Sequence, residues 1–250
     1  MIVRDDRNGI RVLRLAHGKV SAMDIELCQA IAAELDAARG EAVRGVVITG
    51  TGSSFSAGVD LFRIINDGAA YATRFLPMLD AMLRTALTFP KPLIAAINGH
   101  AIAGGCILAA ACDHLVMAEG DGRIGVPELV VGVPFPALPL EIMGARVSPS
   151  VLRDLVYSGR TVLVDEAIAK GLVDEKCSPD RLIDRACEVA QEFSLIRAHA
   201  FALTKETFYA PILLRVAQMA DVDARVVEAW KQPGTHDTIR AYLARTIRKK

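Results

Sequence analysis

Three short segments of the sequence hold residue types that could do chemistry, and the first contains Glu128. This residue lies in Gly125-Val-Pro-Glu-Leu-Val-Val-Gly132 and is the only charged residue between Arg123 and Glu141. A carboxylate among so many apolar residues predicts one of two roles. It either caps a helix that begins after Pro127, or burial raises its pKa so that it can move a proton near neutral pH.

The second segment is the loop of residues 50–58, which is rich in glycine and serine and follows the apolar run Val46–Thr49. Small side chains leave backbone N–H groups open to a ligand, although a plain strand-to-helix turn would have the same composition. Known nucleotide-binding and nucleophile motifs do not fit. No lysine follows the glycines, Phe55 replaces the last glycine of G-x-G-x-x-G, and Ser54 replaces the first glycine of G-x-S-x-G.

The third segment is the Gly104-Gly105 pair, at the start of a predicted helix over residues 104–111. Free N–H groups at the positive end of a helix dipole suit an oxyanion, and close helix packing explains paired glycines equally well. Taken together, two backbone donors from separate loops and one buried carboxylate can remove a proton beside a carbonyl and hold the resulting enolate.

Composition excludes several other classes of protein. The 250 residues carry 29 basic and 29 acidic side chains and 5% aromatic residues, which argues against a nucleic-acid partner. Five cysteines without a C-x-x-C pair, and five scattered histidines, predict reduced thiols and no metal site. The N-terminal segment lacks the apolar core of a signal peptide. We interpret the uncharged stretch Pro92–Cys112 as a buried strand, a turn and a buried helix, so the sequence predicts a soluble, cytoplasmic protein without a membrane partner.

Periodicity predicts an α/β architecture followed by a helical C-terminal third. Alternation and apolar runs predict strands at residues 2–4, 10–15, 46–49, 92–97 and 114–118. Helices are predicted from a Ser21/Asp24 capping box to about Gly40, and over residues 69–89 and 104–111. Further helices are predicted after Ser148 and from Asp165 to Gly171, and the basic tail, residues 245–250, is predicted to end a final helix. Alternating strands and helices favour a mainly parallel sheet.

The chain also resembles a known family over nearly its whole length. The matching segments, in this order, are FSAGVDL (55–61), KPLIAAINGHAIAGGC (91–106), ACDHLVMA (111–118), GVPELVVGVP (125–134) and SGRTVLVDEAIAKGLVDE (158–175). They are similar to segments of the crotonase, or enoyl-CoA hydratase/isomerase, superfamily. The resemblance implies a crotonase-like β-β-α spiral core over residues 1–195 and a helical trimerisation region over residues 196–250. It also implies a homotrimer or a dimer of trimers and an acyl-CoA thioester substrate, with no separate cofactor.

Carried over residue by residue, the resemblance implies roles for individual positions. The two oxyanion-hole amides fall on Val59 and Gly104, and the catalytic carboxylate falls on Glu128. The loop of residues 19–22 matches the segment that covers the CoA moiety. The expected substrate-binding residues are Val20, Ala22, Ala57, Gly58, Asp60, Leu61, Ile102, Ile107, Pro127, Val131 and Phe135.

Departures from the hydratase pattern favour one reaction. Hydratases of this kind carry two glutamates, and the position of the first is Ile107 here. Phe135 replaces part of a glycine-rich segment and should narrow and dry the acyl pocket. We therefore expect a 3-enoyl-CoA to 2-enoyl-CoA isomerase of the fatty-acid β-oxidation type. The alternatives are an enoyl-CoA hydratase and a non-catalytic acyl-CoA binder, and the fold hosts further reactions.

Other conspicuous residues receive structural interpretations. We expect His100 to make a structural hydrogen bond and Asp60 to fix its own loop. Cys106 and Cys112 are expected in a helix core, and Trp230 in packing or subunit contacts.

Overall fold

The computed structural model describes residues 1–247, which form ten strands and eleven α-helices. The strands are β1 (Ile2–Arg7), β2 (Ile10–Leu15), β3 (Gly45–Thr49), β4 (Ser54–Ser56), β5 (Leu93–Ile97), β6 (His100–Ile102), β7 (His114–Ala118), β8 (Ile124–Gly125), β9 (Thr161–Val162) and β10 (Glu175–Cys177). The helices are α1 (Ile25–Gly40), α2 (Leu61–Leu87), α3 (Gly104–Ala110), α4 (Glu128–Val131), α5 (Ala137–Arg146), α6 (Pro149–Ser158), α7 (Val164–Ala169), α8 (Leu182–Ser194), α9 (Ala198–Gln218), α10 (Ala220–Trp230) and α11 (Pro233–Ile247).

Within the described residues, the larger sheet has six strands in the order β1-β2-β3-β5-β7-β10. Strands β1 and β2 form an antiparallel hairpin, and the other neighbours pair in parallel, in agreement with the predicted mainly parallel sheet. Every residue of β3 and β5 is buried, because helices cover both faces of a parallel sheet. One face packs on α8, and the other packs on the main core with α1, α2 and α3.

The smaller sheet, absent from the sequence-based prediction, has four strands in the order β4-β6-β8-β9 among residues 1–247. Its first strand lies inside the segment that we expected to be a loop. β4 pairs in parallel with β6, so that Ser54 lies opposite His100. Residues 57–59 follow β4 directly, and Ala103 and Gly104 follow β6, so the pairing brings the end of the first glycine-rich segment and the start of the second to the same end of the sheet.

Three helix starts differ from the predictions. Asp24, not Ser21, caps α1, since its Oδ1 accepts a hydrogen bond from the amide of Leu27 at 2.8 Å. The Ser21 hydroxyl donates instead to the Leu15 carbonyl, at 3.0 Å. Helix α2 begins at residue 61 instead of 69, with a non-helical break at Gly68. Helix α7 begins at Val164, one residue before the predicted start at Asp165.

Helices α9, α10 and α11 pack on helices of the same chain. Helix α9 contacts α5, α10 contacts α2, and α11 contacts both α2 and α4. Glu128 lies on α4. The division at residue 195 stays a prediction. The final helix is described to residue 247, with Arg245 in its last turn, so the rest of the predicted basic tail, residues 248–250, lies outside the described residues. Residues 1–247 include no helix with both the length and the apolarity needed to cross a membrane.

Candidate active site

A largely apolar pocket lies where the two glycine-rich segments meet α4. It contains about 630 Å³ of empty space, part of which is open to solvent. The side chains and backbone that form its wall come from distant parts of the sequence: Ala57, Val59, Leu61, Leu79, Ile102, Ala103, Gly104, Ile107, Pro127, Glu128, Val131, Val133, Phe135, Pro136, Pro139, Trp230 and Tyr242. The structure thus brings together the expected carboxylate and both expected oxyanion-hole residues.

Glu128 is the first residue of α4 and is only 7% exposed. Its side chain does not cap the helix, because Pro127 occupies the N-cap position. Among the described residues, the Oε2 atom has no hydrogen-bond partner. Burial raises the pKa of Glu128 from its usual 4.5 to about 8. Of the two sequence interpretations, the geometry excludes capping, and proton transfer stays a prediction.

Val59 lies on a short parallel bridge to Met23. Two backbone hydrogen bonds flank it: the Met23 amide donates to the Gly58 carbonyl at 2.7 Å, and the Asp60 amide donates to the Met23 carbonyl at 2.9 Å. Within residues 1–247 the Val59 amide itself has no acceptor. This bridge holds the Val59 N–H in place while leaving it free for a ligand.

Gly104 begins α3, so its N–H has no carbonyl one turn earlier to accept it. Ala103, which precedes it, has a positive φ of 52° and donates its own amide to the Gly125 carbonyl at 2.8 Å. The adjacent Gly105 has a different role, since a Cβ there would lie 2.5 Å from the Ser56 carbonyl oxygen. One glycine of the pair therefore presents an amide, and the other permits close packing.

Most of the other expected substrate-binding residues form part of the pocket wall, and four do not. The wall includes Ala57, Leu61, Ile102, Ile107, Pro127, Val131 and Phe135. The described part of the wall does not include Val20, Ala22, Gly58 or Asp60. The Val20 carbonyl accepts the Ala57 amide at 3.0 Å, which places this loop directly behind the wall. The Asp60 carboxylate caps α2 by accepting the Arg63 amide at 3.1 Å, as its structural interpretation predicts.

Sequence reasoning missed several wall residues, of which Trp230 is the largest. It was expected in packing or subunit contacts, and it is indeed 3% exposed, but it also lines the pocket. Tyr242 and Leu79 line the pocket as well. No local motif could have identified them, because α2, α10 and α11 reach the pocket only through tertiary packing.

Three further interpretations concern residues outside the wall. The Nδ1 atom of His100 accepts the Arg123 amide at 3.2 Å, which is the structural hydrogen bond expected for it. Cys106 and Cys112 are buried at and just after α3, as expected. Over residues 1–247, the structure contains no cluster of three or more His, Cys, Asp or Glu side chains that could hold a metal ion.

Comparison with known proteins places this architecture in a family. The family model described as enoyl-CoA hydratase/isomerase matches residues 5–246. A Thermus thermophilus protein named as a candidate enoyl-CoA hydratase is 38% identical over 191 residues, which are 75% of this chain and 74% of that protein. The apo structure of an enoyl-CoA isomerase from Mycobacterium tuberculosis is 32% identical, covers 90% of this chain and 97% of its own, and has a TM-score of 0.83.

The crystal structure of the human mitochondrial delta3-delta2-enoyl-CoA isomerase has a TM-score of 0.94 at 22% identity and covers 100% of this chain and 99% of its own. At that identity the likeness shows the fold alone, and it confirms the expected crotonase-type α/β fold. The names of these relatives include both hydratases and isomerases. The chain belongs to the enoyl-CoA hydratase/isomerase family of the crotonase superfamily.

Proposed function

We propose that the protein is an acyl-CoA double-bond isomerase that converts 3-enoyl-CoA into 2-enoyl-CoA. One observation supports this proposal above all: Glu128 is the single carboxylate among the described residues that line the pocket. Ile107 occupies the position at which hydratases of this family are expected to carry their other glutamate. One carboxylate is enough to move a double bond, because the same group can take up and return the same proton.

In the proposed reaction, the Glu128 carboxylate removes a proton from the α-carbon of the 3-enoyl thioester. The electron pair of that C–H bond moves onto the thioester carbonyl, which gives a dienolate conjugated with the C3–C4 double bond. The protonated Glu128 then donates its proton to the γ-carbon. The double bond now lies between the α- and β-carbons, the carbonyl is restored, and the carboxylate is free for the next turnover.

The Val59 and Gly104 amides would hold the thioester oxygen while it carries negative charge. Because both N–H groups are fixed by the backbone before substrate arrives, no reorganisation is needed during the reaction. Each such donor contributes on the order of 3 kcal/mol to transition-state stabilisation. The apolar wall, with Ile107 and Phe135, would exclude the water that hydration requires.

Hydration of 2-enoyl-CoA is the second candidate, and two observations favour it. Relatives such as the Thermus thermophilus protein carry hydratase names. A Glu128 with a pKa of about 8 is largely protonated at neutral pH and could serve as an acid. This reaction needs a second group to activate water, for which the described pocket wall offers no carboxylate besides Glu128. A non-catalytic acyl-CoA binder is the third candidate.

Product analysis distinguishes the three candidates. We expect the purified protein to convert 3-hexenoyl-CoA into the conjugated 2-hexenoyl-CoA, identified by chromatography and mass spectrometry. Predominant formation of 3-hydroxyacyl-CoA from 2-hexenoyl-CoA would favour the hydratase instead, and binding without turnover of either thioester would favour the binder.

The Glu128→Gln variant tests the role of the carboxylate, because glutamine keeps the shape and cannot exchange the proton. We expect isomerase turnover to fall by about 10² to 10⁴. Glu206→Gln is the matched control, since Glu206 is exposed on α9 and away from the pocket wall. Wild-type turnover by Glu128→Gln would reject the assignment.

The remaining parts of the proposal concern assembly and cofactors. We expect a homotrimer or a dimer of trimers, a coenzyme A moiety that enters only with the substrate, and a cytoplasmic location. Light scattering of the purified protein measures the assembly, and activity after dialysis against a chelator tests the expected independence of added cofactors.

A further inference from the structure

Trp230 is the single tryptophan of the chain and the largest side chain in the pocket wall. Its position is fixed at two points. The indole Nε1–H donates to the Pro134 carbonyl at 3.1 Å, and the Trp230 carbonyl oxygen lies 2.9 Å from Nε2 of His236. The ring therefore cannot move aside without breaking its hydrogen bond to the Pro134 carbonyl.

A second groove adjoins the pocket along α10. Val226 lies one turn before Trp230 on the same face of the helix and lines this groove, together with Leu76 and Val216. Pro136 lines both the pocket and the groove. Asp80, Arg84 and Asp223 also line the groove, next to its apolar residues. The pocket and the groove adjoin at Pro136, and Trp230 belongs to the pocket wall one turn of α10 beyond the groove residue Val226.

We propose that Trp230 sets the acyl-chain length that the site accepts. The pocket then takes short and medium acyl chains, and the indole ring stops longer chains from entering the groove beyond it. This inference rests on the proposed function only in requiring that the pocket holds the acyl chain of a CoA thioester. In an apolar pocket, one methylene group that fits or does not fit changes kcat/KM by about 10- to 200-fold, so one large ring is enough to define a limit.

Binding of saturated thioesters tests the inference without any reaction. Calorimetric titration with hexanoyl-, decanoyl- and tetradecanoyl-CoA gives the dissociation constants for wild type and for Trp230→Leu and Trp230→Phe. We expect wild type to bind hexanoyl-CoA about 10-fold or more tightly than tetradecanoyl-CoA, and Trp230→Leu to lose or reverse this preference. Trp230→Phe keeps an aromatic ring and is expected to admit decanoyl-CoA better than wild type. In wild type, quenching of the Trp230 fluorescence reports contact with the chain directly.

Phe89→Leu is the matched control, because Phe89 is a fully buried aromatic residue outside the pocket wall. It should lower stability and leave the chain-length preference unchanged. If wild type and Trp230→Leu both bind hexanoyl-CoA with the same chain-length order, the inference is wrong and the proposed function stands. If wild type binds none of the three thioesters, the proposed function fails and the inference fails with it. Should Trp230→Leu not fold by circular dichroism, an unchanged preference in Trp230→Phe overturns the inference.

Discussion

The α-carbon of Gly58 packs so closely on the backbone of the other loop that a Cβ atom there would lie 3.0 Å from the Gly104 nitrogen. The same Cβ would lie 2.5 Å from the Ile102 carbonyl oxygen, and Gly58 has a φ of +80°. Both features exclude side chains. Gly58 therefore sets the separation of the two amides proposed as the oxyanion hole, although it lies outside the described pocket wall.

This contact predicts that Gly58→Ala damages catalysis more than it damages the fold. The added methyl group must push the two loops apart, and misplacing one oxyanion-hole donor costs about 10² to 10³ in kcat. Gly52→Ala is the control, because Gly52 also has a positive φ, of +59°, but has open space around its α-carbon. We expect both variants to lose about 1 kcal/mol or more of stability through backbone strain, and only Gly58→Ala to lose activity. Equal kcat values for the two variants would contradict the prediction.

The raised pKa of Glu128 predicts an acidic limb in the pH profile. Isomerisation starts with the carboxylate form of Glu128, and the pKa of Glu128 in the free enzyme is about 8. The value of kcat/KM for 3-hexenoyl-CoA should therefore fall about tenfold for each pH unit below 8 and level off above it. The exposed-site variant Glu206→Gln should keep this profile. A profile that is flat between about pH 6 and pH 9 would mean that Glu128 is ionised throughout and that burial does not control it.

The same pKa predicts a pH-dependent stability difference between wild type and Glu128→Gln. Above pH 4.5, the usual pKa of this side chain, the unfolded chain loses the Glu128 proton, while the folded protein keeps it until about pH 8. The folded state then binds more protons, so wild-type stability falls across this window relative to the variant. The total change is at most a few kcal/mol, at about 1.4 kcal/mol for each unit of pKa shift.

Urea unfolding of both proteins at about pH 5 and about pH 9 measures this difference, since all other titrating groups are shared. We expect the two proteins to be nearly equally stable at the lower pH and the variant to be the more stable at the higher pH. A difference that does not change with pH would show that the folded and unfolded states bind the Glu128 proton equally.

Local sequence patterns were enough to single out two of the proposed reacting groups as candidates, although their roles came from the family resemblance. Glu128 is conspicuous because it is the lone charge in an apolar run, and Gly104 because paired glycines begin a helix. Strands such as β3 and β5 are equally visible, since all their residues are apolar or small and bounded by turns.

The smaller sheet and the part of the pocket wall formed by Trp230 and Tyr242 could not be predicted in the same way. In the smaller sheet, strands β8 and β9 are two residues long and therefore too short to show alternation. Strand β4 consists of Ser54, Phe55 and Ser56 within a serine-rich loop. Trp230 and Tyr242 lie more than a hundred residues beyond Gly104 in the sequence, and only the packing of α10 and α11 on α2 and α4 brings them to the pocket. Helix periodicity identifies a buried face but not which cavity that face lines.

The C-terminal helices are tied to the sheet by a buried ion pair, which predicts a large and specific loss of stability. Lys205 Nζ on α9 lies 2.7 Å from Asp113 Oδ1, and the two side chains are only 6% and 11% exposed. Asp113 Oδ2 also accepts the Leu93 amide at 2.8 Å, at the start of β5. Lys205→Met leaves this carboxylate buried without its cation, so we expect the free energy of unfolding to fall by about 3–5 kcal/mol.

Two further variants show whether the loss in Lys205→Met comes from the buried, unpaired carboxylate. One breaks an exposed ion pair, and the other also removes the charge of Asp113. Arg240 and Asp237 are joined at 2.7 Å but are 52% and 74% exposed, so Arg240→Ala should cost about 1 kcal/mol or less. Adding Asp113→Asn to Lys205→Met removes the unpaired charge while keeping an acceptor for the Leu93 amide, and it should restore most of the lost stability. Urea unfolding of the four proteins measures all three differences. If the double variant is no more stable than Lys205→Met, the loss comes from packing around the lysine stem and not from the unpaired carboxylate.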